Sequence, residues 1–221
     1  MELLSEADSR NGDCRNKKWT EEREYREEIM QEVSVIIPNF NGMAYLDGVL
    51  AGLECQSVNN FEVILVDNGS SDGSCAFVAA RYPWVHLIEL PENFGFCKAV
   101  NEGIKASRAP YVLLLNNDIE VTENFIEEMI FAIKRHPKAF SCAARMIQFH
   151  DRDKLDDAGN YYCALGWAYA RGKGKDIHTY EKEEKIFASC AGAAIYRKKI
   201  FDKIGHFDEE HFAYLEDMDV G

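Results

Sequence analysis

The chain has 221 residues, of which 47% are hydrophobic and 29% are charged. These proportions are typical of a soluble globular protein, and the length allows one large domain with a substantial core. The formal net charge of -13 argues against nucleic-acid binding, which requires a basic surface. An acidic chain that handles phosphates needs a cation in its site, so metal-dependent phosphate chemistry stays open.

Seven cysteines are scattered along the chain, and no two of them form a CxxC pair. An odd number of cysteines without metal-ligand spacing indicates neither a disulfide framework nor a zinc site, and it favours a reducing compartment. No apolar run has membrane-spanning length, and the acidic N-terminus lacks the apolar region of a signal peptide. We therefore expect a cytoplasmic protein.

Residues 1–31 form a polar, charged leader in which Thr20 could cap a short helix. Beyond it, apolar strands alternate with helices, which predicts βαβ units and a mostly parallel sheet with right-handed crossovers. Pro38 is expected to end the first strand, and Ser71 or Asp72 to cap the second helix. The predicted strands are 33–37, 61–66, 85–90 and 111–115. The predicted helices are 45–53, a segment after the turn 67–73, and 96–106.

The pattern changes after residue 118. A helix is expected over 122–135 with Thr122 as its N-cap, followed by a strand over 139–149. The remaining segments are a charged loop 151–159, an extended aromatic segment 161–169, a polar loop 171–184, an apolar segment 186–196, a helix 197–204, a loop 205–214 and the first turn of a helix at 215–221. We assign 32–221 to one domain, with a smaller antiparallel part in its C-terminal half and a truncated C-terminal end.

The stretch 111–121 joins a fully apolar strand to Asn116, Asn117 and Asp118. The carboxyl edge of a parallel sheet is where open α/β folds bind ligands. One carboxylate beside two amide side chains suits Mg²⁺ or Mn²⁺, because Mg²⁺ often takes one or two protein carboxylates together with substrate phosphates. A plain Asn/Asp turn at the end of a strand is the simpler alternative.

Two more junctions between a strand and a helix carry candidate ligands. Asp67 could accept hydrogen bonds from a nucleobase or a ribose, or could form an Asx-type turn. Its turn matches neither the P-loop nor GxGxxG, which weakens the ATPase and dehydrogenase hypotheses. Gly95 permits close approach of a ligand, and Lys98 could reach a phosphate at a helix N-terminus, with Asn101 one turn along. An ordinary glycine-containing loop followed by a surface lysine explains the segment around Gly95 and Lys98 equally well.

Glu216 and Asp217 are paired carboxylates after an aromatic stretch. A general base of this type must lie near a reacting hydroxyl. The alternative is a pair of acidic residues at a helix N-terminus, where the helix dipole favours them.

Taken together, these segments resemble the family 2 glycosyltransferases of the GT-A fold. The matching segments, in the order of that family, are VSVIIPNFNG (33–42), EVILVDNGSSDGS (62–74), NFGFCKAVNEGI (93–104), YVLLLNNDIEV (111–121), CAGAAIYRKKIFDKIGHFDE (190–209) and FAYLEDMDVG (212–221). Each motif is weak alone, but the ordered set is specific and covers about 33–221. The chain looks most like the rhamnosyltransferase-type branch, which often carries NND in place of DxD.

The resemblance implies an α/β domain of GT-A type, with a Rossmann-like, mostly parallel central sheet flanked by helices. It implies inverting transfer of a sugar from a dTDP- or UDP-sugar to a glycan or lipid-linked acceptor, in cell-wall or polysaccharide synthesis. Asp217 would be the catalytic base with Glu216 its neighbour, and Asp118 would bind Mg²⁺ or Mn²⁺. The nucleotide-sugar site would be formed by Pro38, Asn39, Asp67, Gly95, Lys98, Asn101, Asn116 and Asn117.

Asn116 stands where many relatives have the first Asp of DxD, which leaves one carboxylate for the metal. A non-catalytic nucleotide-sugar-binding module is therefore an alternative. A sugar-phosphate nucleotidyltransferase is a weaker one, because the loop 38–42 has no basic residue. A membrane-bound acceptor would imply peripheral association with the inner face of the membrane, and the sequence indicates no oligomeric state.

Overall fold

The structure is a computed structural model that describes residues 31–220. The predicted leader, including its helix, lies outside these residues except for its last position. The first described strand begins at Val33.

A six-stranded sheet forms the centre of the described chain, with the strand order β3-β2-β1-β4-β10-β5. Its first four strands are parallel, and β10 is antiparallel to both β4 and β5. The strands are β1 (Val33–Asn39), β2 (Phe61–Asn68), β3 (His86–Leu90), β4 (Tyr111–Leu115), β5 (Ser141–Ala143) and β10 (Ala193–Arg197). The predicted α/β class with a mostly parallel central sheet is confirmed.

Helices cover both faces of this sheet, which explains why its strands are apolar without alternation. On β1, Val35 and Ile37 belong to the core shared with α1, α2 and α4, whereas Ile36 packs with α3 and α5. The helices are α1 (Met43–Glu54), α2 (Ser74–Arg81), α3 (Phe96–Ala106), α4 (Phe125–Arg135), α5 (Lys198–Ile204) and α6 (Glu216–Asp219), with a short 3-10 helix at Glu209–His211.

The C-terminal half contains the smaller antiparallel part that the sequence predicted. Two-stranded sheets pair β6 (Met146–Ile147) with β7 (Leu155–Asp157), and β8 (Asn160–Tyr162) with β9 (Ala168–Ala170). The single strand predicted over 139–149 is wrong, because this stretch divides between β5 of the central sheet and β6 of a separate pair. The loop predicted over 151–159 contains β7.

Pro38 does not end the first strand, as the sequence had suggested. β1 continues to Asn39, which pairs with Asp67, while its pairing with β4 stops at Ile36. Beyond that point β1 has a neighbour on one side only, so a residue without an N–H group is tolerated. The extra residues carry β1 to the edge of the sheet where the polar side chains gather.

Two predicted helix caps are also wrong. α2 begins after Gly73, whose φ of 90° favours glycine, although the Asp72 carboxylate still accepts the Ser74 N–H over 3.0 Å. α4 begins after Asn124 rather than Thr122.

The start of α4 is set by a contact from another element. Buried Gln56, just after α1, accepts the Ile126 N–H over 2.9 Å and donates to the Thr122 carbonyl over 2.8 Å. This long-range amide satisfies a free N–H of the first turn, the function that a local N-cap side chain normally performs. Among residues 31–220, no helix is long and apolar enough to cross a bilayer.

Two helical glycines offer a matched test of the packing. A Cβ at Gly48 in α1 would meet nothing within 4 Å, whereas a Cβ at Gly103 in α3 would clash with the buried Ile36 side chain. We expect Gly48→Ala to raise the free energy of unfolding by up to about 1 kcal/mol, the helix preference of alanine over glycine. Gly103→Ala should lower it by about 1–2 kcal/mol, because overpacking exceeds that gain. Urea titration measures both, and equal gains would contradict tight packing of α3 on β1.

Candidate active site

The carboxyl ends of β1, β2 and β4 are joined by a chain of polar side chains. Asn39 Nδ2 donates to Asp67 Oδ1 over 2.8 Å, and Asn39 Oδ1 accepts from Asn117 Nδ2 over 2.7 Å. Asn39 and Asp67 are almost fully buried, so these bonds satisfy groups that are costly to desolvate without a partner. They bring together three residues that the sequence predicted for the donor site.

The loop after β2 fixes the Asp67 carboxylate from the other side. The Ser70 N–H donates to Asp67 Oδ2 over 2.8 Å, and Ser70 Oγ accepts the Asn41 N–H over 2.8 Å. The local turn that the sequence left as an alternative is therefore present. It does not use up Asp67, because each carboxylate oxygen has more than one lone pair with which to accept a further bond from a ligand.

The loop after β1 approaches this network closely. A Cβ at Gly42 would clash with the side chains of Asn117 and Asn39, so glycine is required for the approach. Pro38, half-buried, precedes Asn39 on β1. Residues 38–42 thus form one wall of the site.

Asp118 is exposed at the end of the NND stretch, and Asn116 is half-buried. The Asn116 N–H donates to the Gly192 carbonyl over 2.9 Å. Within residues 31–220, no group of three or more His, Cys, Asp or Glu side chains could hold a metal. A cation here would depend on Asp118, amide oxygens and ligand phosphates, a hard oxygen set that fits Mg²⁺ or Mn²⁺.

The N-terminal end of α3, proposed from the sequence as a phosphate site, contacts the chain's own segment 205–215. The N–H groups of Phe96 and Cys97 point at the Phe212 carbonyl, at 2.6 and 3.4 Å. Gly95 has a φ of 89°, and a Cβ there would lie 2.6 Å from the Phe212 oxygen. Gly95 therefore permits close approach of this segment, and a phosphate at the same helix end would compete with the carbonyl.

Lys98 and Asn101 also contact the segment 205–215. Lys98 Nζ lies 3.1 Å from Glu102 Oε1 and 3.4 Å from Glu209 Oε2. Asn101, almost fully buried, donates to the Phe207 carbonyl over 2.8 Å and accepts the Phe207 N–H over 3.1 Å. Both residues link α3 to the segment that leads to Glu216, and their contact with a donor remains a prediction.

Asp217 is held next to the NND stretch by the segment 190–192. Asn160 Nδ2 donates to Asp217 Oδ2 over 2.8 Å, and the Ala191 N–H lies close enough to favour the charged carboxylate and to lower its pKa. The next residue, Gly192, accepts the Asn116 N–H. Two consecutive residues before β10, Ala191 and Gly192, thus contact the predicted base and the start of the predicted metal-binding stretch respectively.

Three carboxyl groups lie close together in this region. Burial raises the pKa of Asp217, and bonds from backbone N–H groups and from Asn160 offset part of the rise. Burial likewise raises the pKa of Glu216 and of Asp157, and the Asp217 charge adds to both. Glu216 Oε2 is buried without a hydrogen-bond partner among residues 31–220. A raised pKa suits a carboxylate that must accept a proton.

The backbone before Glu216 is strained. Phe212, Tyr214 and Leu215 have φ values of 57°, 72° and 66°, which non-glycine residues adopt at a cost of about 1–3 kcal/mol each. Such strain persists only where the surroundings impose it. The contacts of Phe212 with α3 supply part of that restraint.

Sequence reasoning missed Asn160 and Asp157. Asn160 lies between the predicted charged loop 151–159 and the predicted aromatic segment 161–169, and Asp157 lies in that loop. Asn160 and its partner Asp217 are 57 residues apart, and no motif or spacing relates them. The tertiary fold alone reveals this contact.

A family model described as Glycosyl transferase family 2 matches residues 34–205. The N-acetylglucosaminyl-diphospho-decaprenol L-rhamnosyltransferase of Mycobacterium tuberculosis (strain H37Rv) is 26% identical over 210 aligned positions, covering 85% of this chain and 68% of that protein. The putative teichuronic acid biosynthesis glycosyltransferase TuaG of Bacillus subtilis is 27% identical, covering 56% of this chain and 50% of that protein. Both relatives carry glycosyltransferase names.

Solved glycosyltransferase structures share the fold. Staphylococcus aureus TarS 1-349 in complex with UDP superposes with a TM-score of 0.63 at 19% identity, over 86% of this chain and 54% of that one. The mannosyltransferase PcManGT from Pyrobaculum calidifontis, in complex with GDP-Man and Mn²⁺, gives 0.62 at 15% identity, over 96% and 56%. The chain spans about half the length of these structures, and the likeness shows the fold alone. Since the family match extends over most of the chain, the chain belongs to glycosyltransferase family 2 and has the GT-A fold.

Proposed function

We propose that the chain carries the donor-binding and catalytic part of an inverting glycosyltransferase. It would move a sugar from a nucleotide-diphospho-sugar, a dTDP- or UDP-sugar, to a hydroxyl of a glycan or lipid-linked acceptor. The observation that carries the proposal is the segment 190–192, which contacts Asp217 through Ala191 and Asn116 through Gly192. A base and a diphosphate site must be adjacent for such a reaction, and this segment supports their adjacency.

The nucleotide half of the site would use the wall at 38–42 and the Asp67 carboxylate. Asp67 would accept a hydrogen bond from the base or ribose while Asn39 and Ser70 hold it. The UDP and GDP-Man complexes of the structural neighbours support a nucleotide-diphospho-sugar as the donor class.

The metal half would use Asp118, with amide oxygens of Asn116 and Asn117 beside it. Asn117 donates to Asn39 through its Nδ2 group, so that bond does not occupy the Asn117 Oδ1 oxygen proposed to lie beside the metal. When bound, Mg²⁺ or Mn²⁺ would offset the negative charge that develops on the departing nucleoside diphosphate. A complex of the neighbouring mannosyltransferase contains Mn²⁺.

In the proposed reaction, the acceptor hydroxyl oxygen attacks the anomeric carbon from the side opposite the diphosphate. The new carbon–oxygen bond forms as the bond to the diphosphate breaks, which inverts the anomeric configuration. Asp217 takes the hydroxyl proton, and Asn160 and the Ala191 N–H orient its carboxylate. Glu216 lies next to it and presents a buried oxygen without a partner among residues 31–220.

The acceptor is proposed to be a glycan or a lipid-linked sugar. The mycobacterial relative is named for action on a diphospho-decaprenol acceptor, and TuaG for teichuronic acid synthesis. These names support a role in cell-wall or polysaccharide synthesis. A lipid-linked acceptor would place the chain at the inner face of the membrane as a peripheral protein.

Nucleotide binding tests the donor site. We expect one of UDP, dTDP and GDP, at about 100 times its Kd and with Mn²⁺ or Mg²⁺, to add about 2.7 kcal/mol of stability. For a chain of this size that is a rise in Tm of about 5–10 °C. The measurement is thermal unfolding with each nucleotide, with and without metal, and EDTA as the control. No shift with any nucleotide would contradict the donor site.

Two carboxylate variants should separate binding from catalysis. Asp118→Asn should weaken metal-dependent nucleotide binding, because it removes the carboxylate proposed for the cation. Asp217→Asn should abolish sugar transfer while leaving nucleotide binding nearly unchanged, because it removes the proton acceptor alone. Calorimetric titration of nucleotide and metal, together with transfer to a panel of glycoside acceptors, measures both. Equal loss of binding and transfer in Asp217→Asn would refute its role as base.

Buried Asp217 should also affect stability as a function of pH. Because folding raises the pKa of this group above its ordinary 3.8, its stabilising contribution is complete below that value and is lost as pH rises through the folded pKa. The Tm of Asp217→Asn minus that of the wild type should therefore increase between about pH 4 and pH 8. Asp202→Asn, at an exposed position of α5, serves as the control. A difference independent of pH would contradict burial of an ionising Asp217.

A further inference from the structure

An exposed aromatic hairpin projects from the domain beside Asp217. We use the name aromatic hairpin for β8, β9 and their connection, residues 160–170. Leu165 and Trp167 at its tip are largely exposed, and so are Tyr162 and Tyr169 on its strands. Contiguous exposed apolar side chains of this kind mark interaction sites more often than chance. The function proposed above does not use them.

The two faces of the hairpin carry separate pairs of stacked rings. Tyr161 and Tyr169 are partners in the strand register and stack with ring centroids 5.8 Å apart and an interplanar angle of 28°. Tyr162 stacks on Phe187, at 5.7 Å and 27°. Neighbouring residues of a strand point to opposite faces, so Tyr161 and Tyr162 lie on different faces.

The Tyr162–Phe187 pair lies on the same face of the hairpin as Asn160, the residue that binds the proposed catalytic base Asp217. Asn160 and Tyr162 are two positions apart on β8 and project on the same side, about 7 Å apart along the strand. Asn160 is the residue that donates to Asp217 Oδ2. Its carbonyl accepts the N–H groups of Phe187 and Ala188, at 3.0 and 3.2 Å. The stacked pair is thus fixed two residues along β8 from Asn160, the residue whose side chain binds the Asp217 carboxylate.

We propose that Tyr162 and Phe187 form the platform on which a sugar ring of the acceptor stacks, with a hydroxyl of that ring reaching Asp217. The inference rests on the proposed transferase function and adds the chemical class of the acceptor unit and the residues that position it. A pyranose has an apolar C–H face that suits exposed aromatic rings, and hydroxyls around its rim that suit carboxylates.

The charges around the platform favour a neutral sugar as its occupant. Asp157, Glu216 and Asp217 lie in this region, and the charge of Asp217 acts on the other two. Asp156 also lies here and pairs with Lys173, which offsets part of the negative charge. A concentration of carboxyl groups disfavours anionic lipid headgroups and phosphates. It accepts hydrogen bonds from hydroxyls, which a sugar supplies at no cost in charge.

The test uses methyl glycosides, which have no aromatic aglycone to bind the rings by itself. Methyl α- and β-glycosides of glucose, galactose, N-acetylglucosamine, mannose and rhamnose are titrated against the full chain, with binding followed by saturation-transfer NMR. We expect at least one to bind, and Tyr162→Ala and Phe187→Ala each to weaken that binding about tenfold. In transfer assays the same variants should raise the acceptor KM and leave the donor KM unchanged.

Tyr169→Ala is the matched control. Tyr169 is 56% exposed and Tyr162 52%, and both are hairpin tyrosines in a stacked pair, but Tyr169 lies on the face away from Asn160. It should leave glycoside binding unchanged, and the Tm of all three variants should stay close to that of the wild type.

Three outcomes would overturn the platform. They are wild-type binding to none of the glycosides, equal losses in Tyr169→Ala and Tyr162→Ala, or loss in Tyr162→Ala of binding to phosphatidylethanolamine–phosphatidylglycerol vesicles with glycoside binding intact. The last would identify a lipid surface as the occupant. The nucleotide-induced rise in Tm keeps the two proposals apart. Its absence in the wild type contradicts the transferase, whereas its presence without an effect of Tyr162 contradicts this inference alone.

Discussion

The site depends on the buried side-chain amide of Asn39. The amide donates to Asp67 at the end of β2 and accepts from Asn117 beyond the end of β4, so one planar group fixes the relative position of both neighbouring strand ends. Replacing Asn117 would leave the buried Asn39 oxygen without this partner, at a cost of about 1–3 kcal/mol, whereas Asn39 Nδ2 also donates to Ser70 Oγ over 3.3 Å. The parallel topology makes this possible, because the carboxyl ends of β1, β2 and β4 lie at one edge of the sheet.

A second constraint comes from the one strand that runs the other way next to β4. Because β10 is antiparallel to β4, its N-terminal end lies at the carboxyl edge of the sheet. The residues just before it, 190–192, therefore reach the NND stretch. A parallel strand in this place would present its C-terminal end there instead. The reversal of one strand thus joins the C-terminal carboxylates to a site that is otherwise built by βαβ units.

The elements predicted most accurately from the sequence are those that depend on local pattern. The bounds of α3 and β4, 96–106 and 111–115, agree with the structure, because the apolar period and flanking polar residues specify both within a short window. The start of α4 could not be predicted, because Gln56 binds its first turn from a distant part of the chain. The short strands after residue 139 were missed or merged for the same reason, since none is long enough to show a period.

The residues of the candidate site also separate into those that local sequence pattern predicts and those that depend on long-range contacts. The positions of Asp67, Asn117 and Asp118 were predictable, because polar residues at the carboxyl end of a buried strand must lie at the sheet edge. Asn160 was not, since its role arises from a contact 57 residues away. The sequence also suggested a phosphate site at Lys98 and the N-terminus of α3, where the structure places Glu209 and the Phe212 carbonyl. Sequence reasoning identified the helix end but could not reveal what covers it.

The contacts of α3 also explain how the chain keeps Asp217 in a position that costs free energy. Burial opposes ionisation of Asp217 and Glu216, and the Asp217 charge adds to this effect at Glu216. Positive φ values also strain the backbone just before them. The opposing restraints are the bonds of Asn101 to Phe207 and of Phe212 to the start of α3. Since α3 also packs on β1 and β2, the position of Asp217 is set by the same sheet that positions Asp67. A substitution at the start of α3 is therefore expected to affect the positions of both carboxylates.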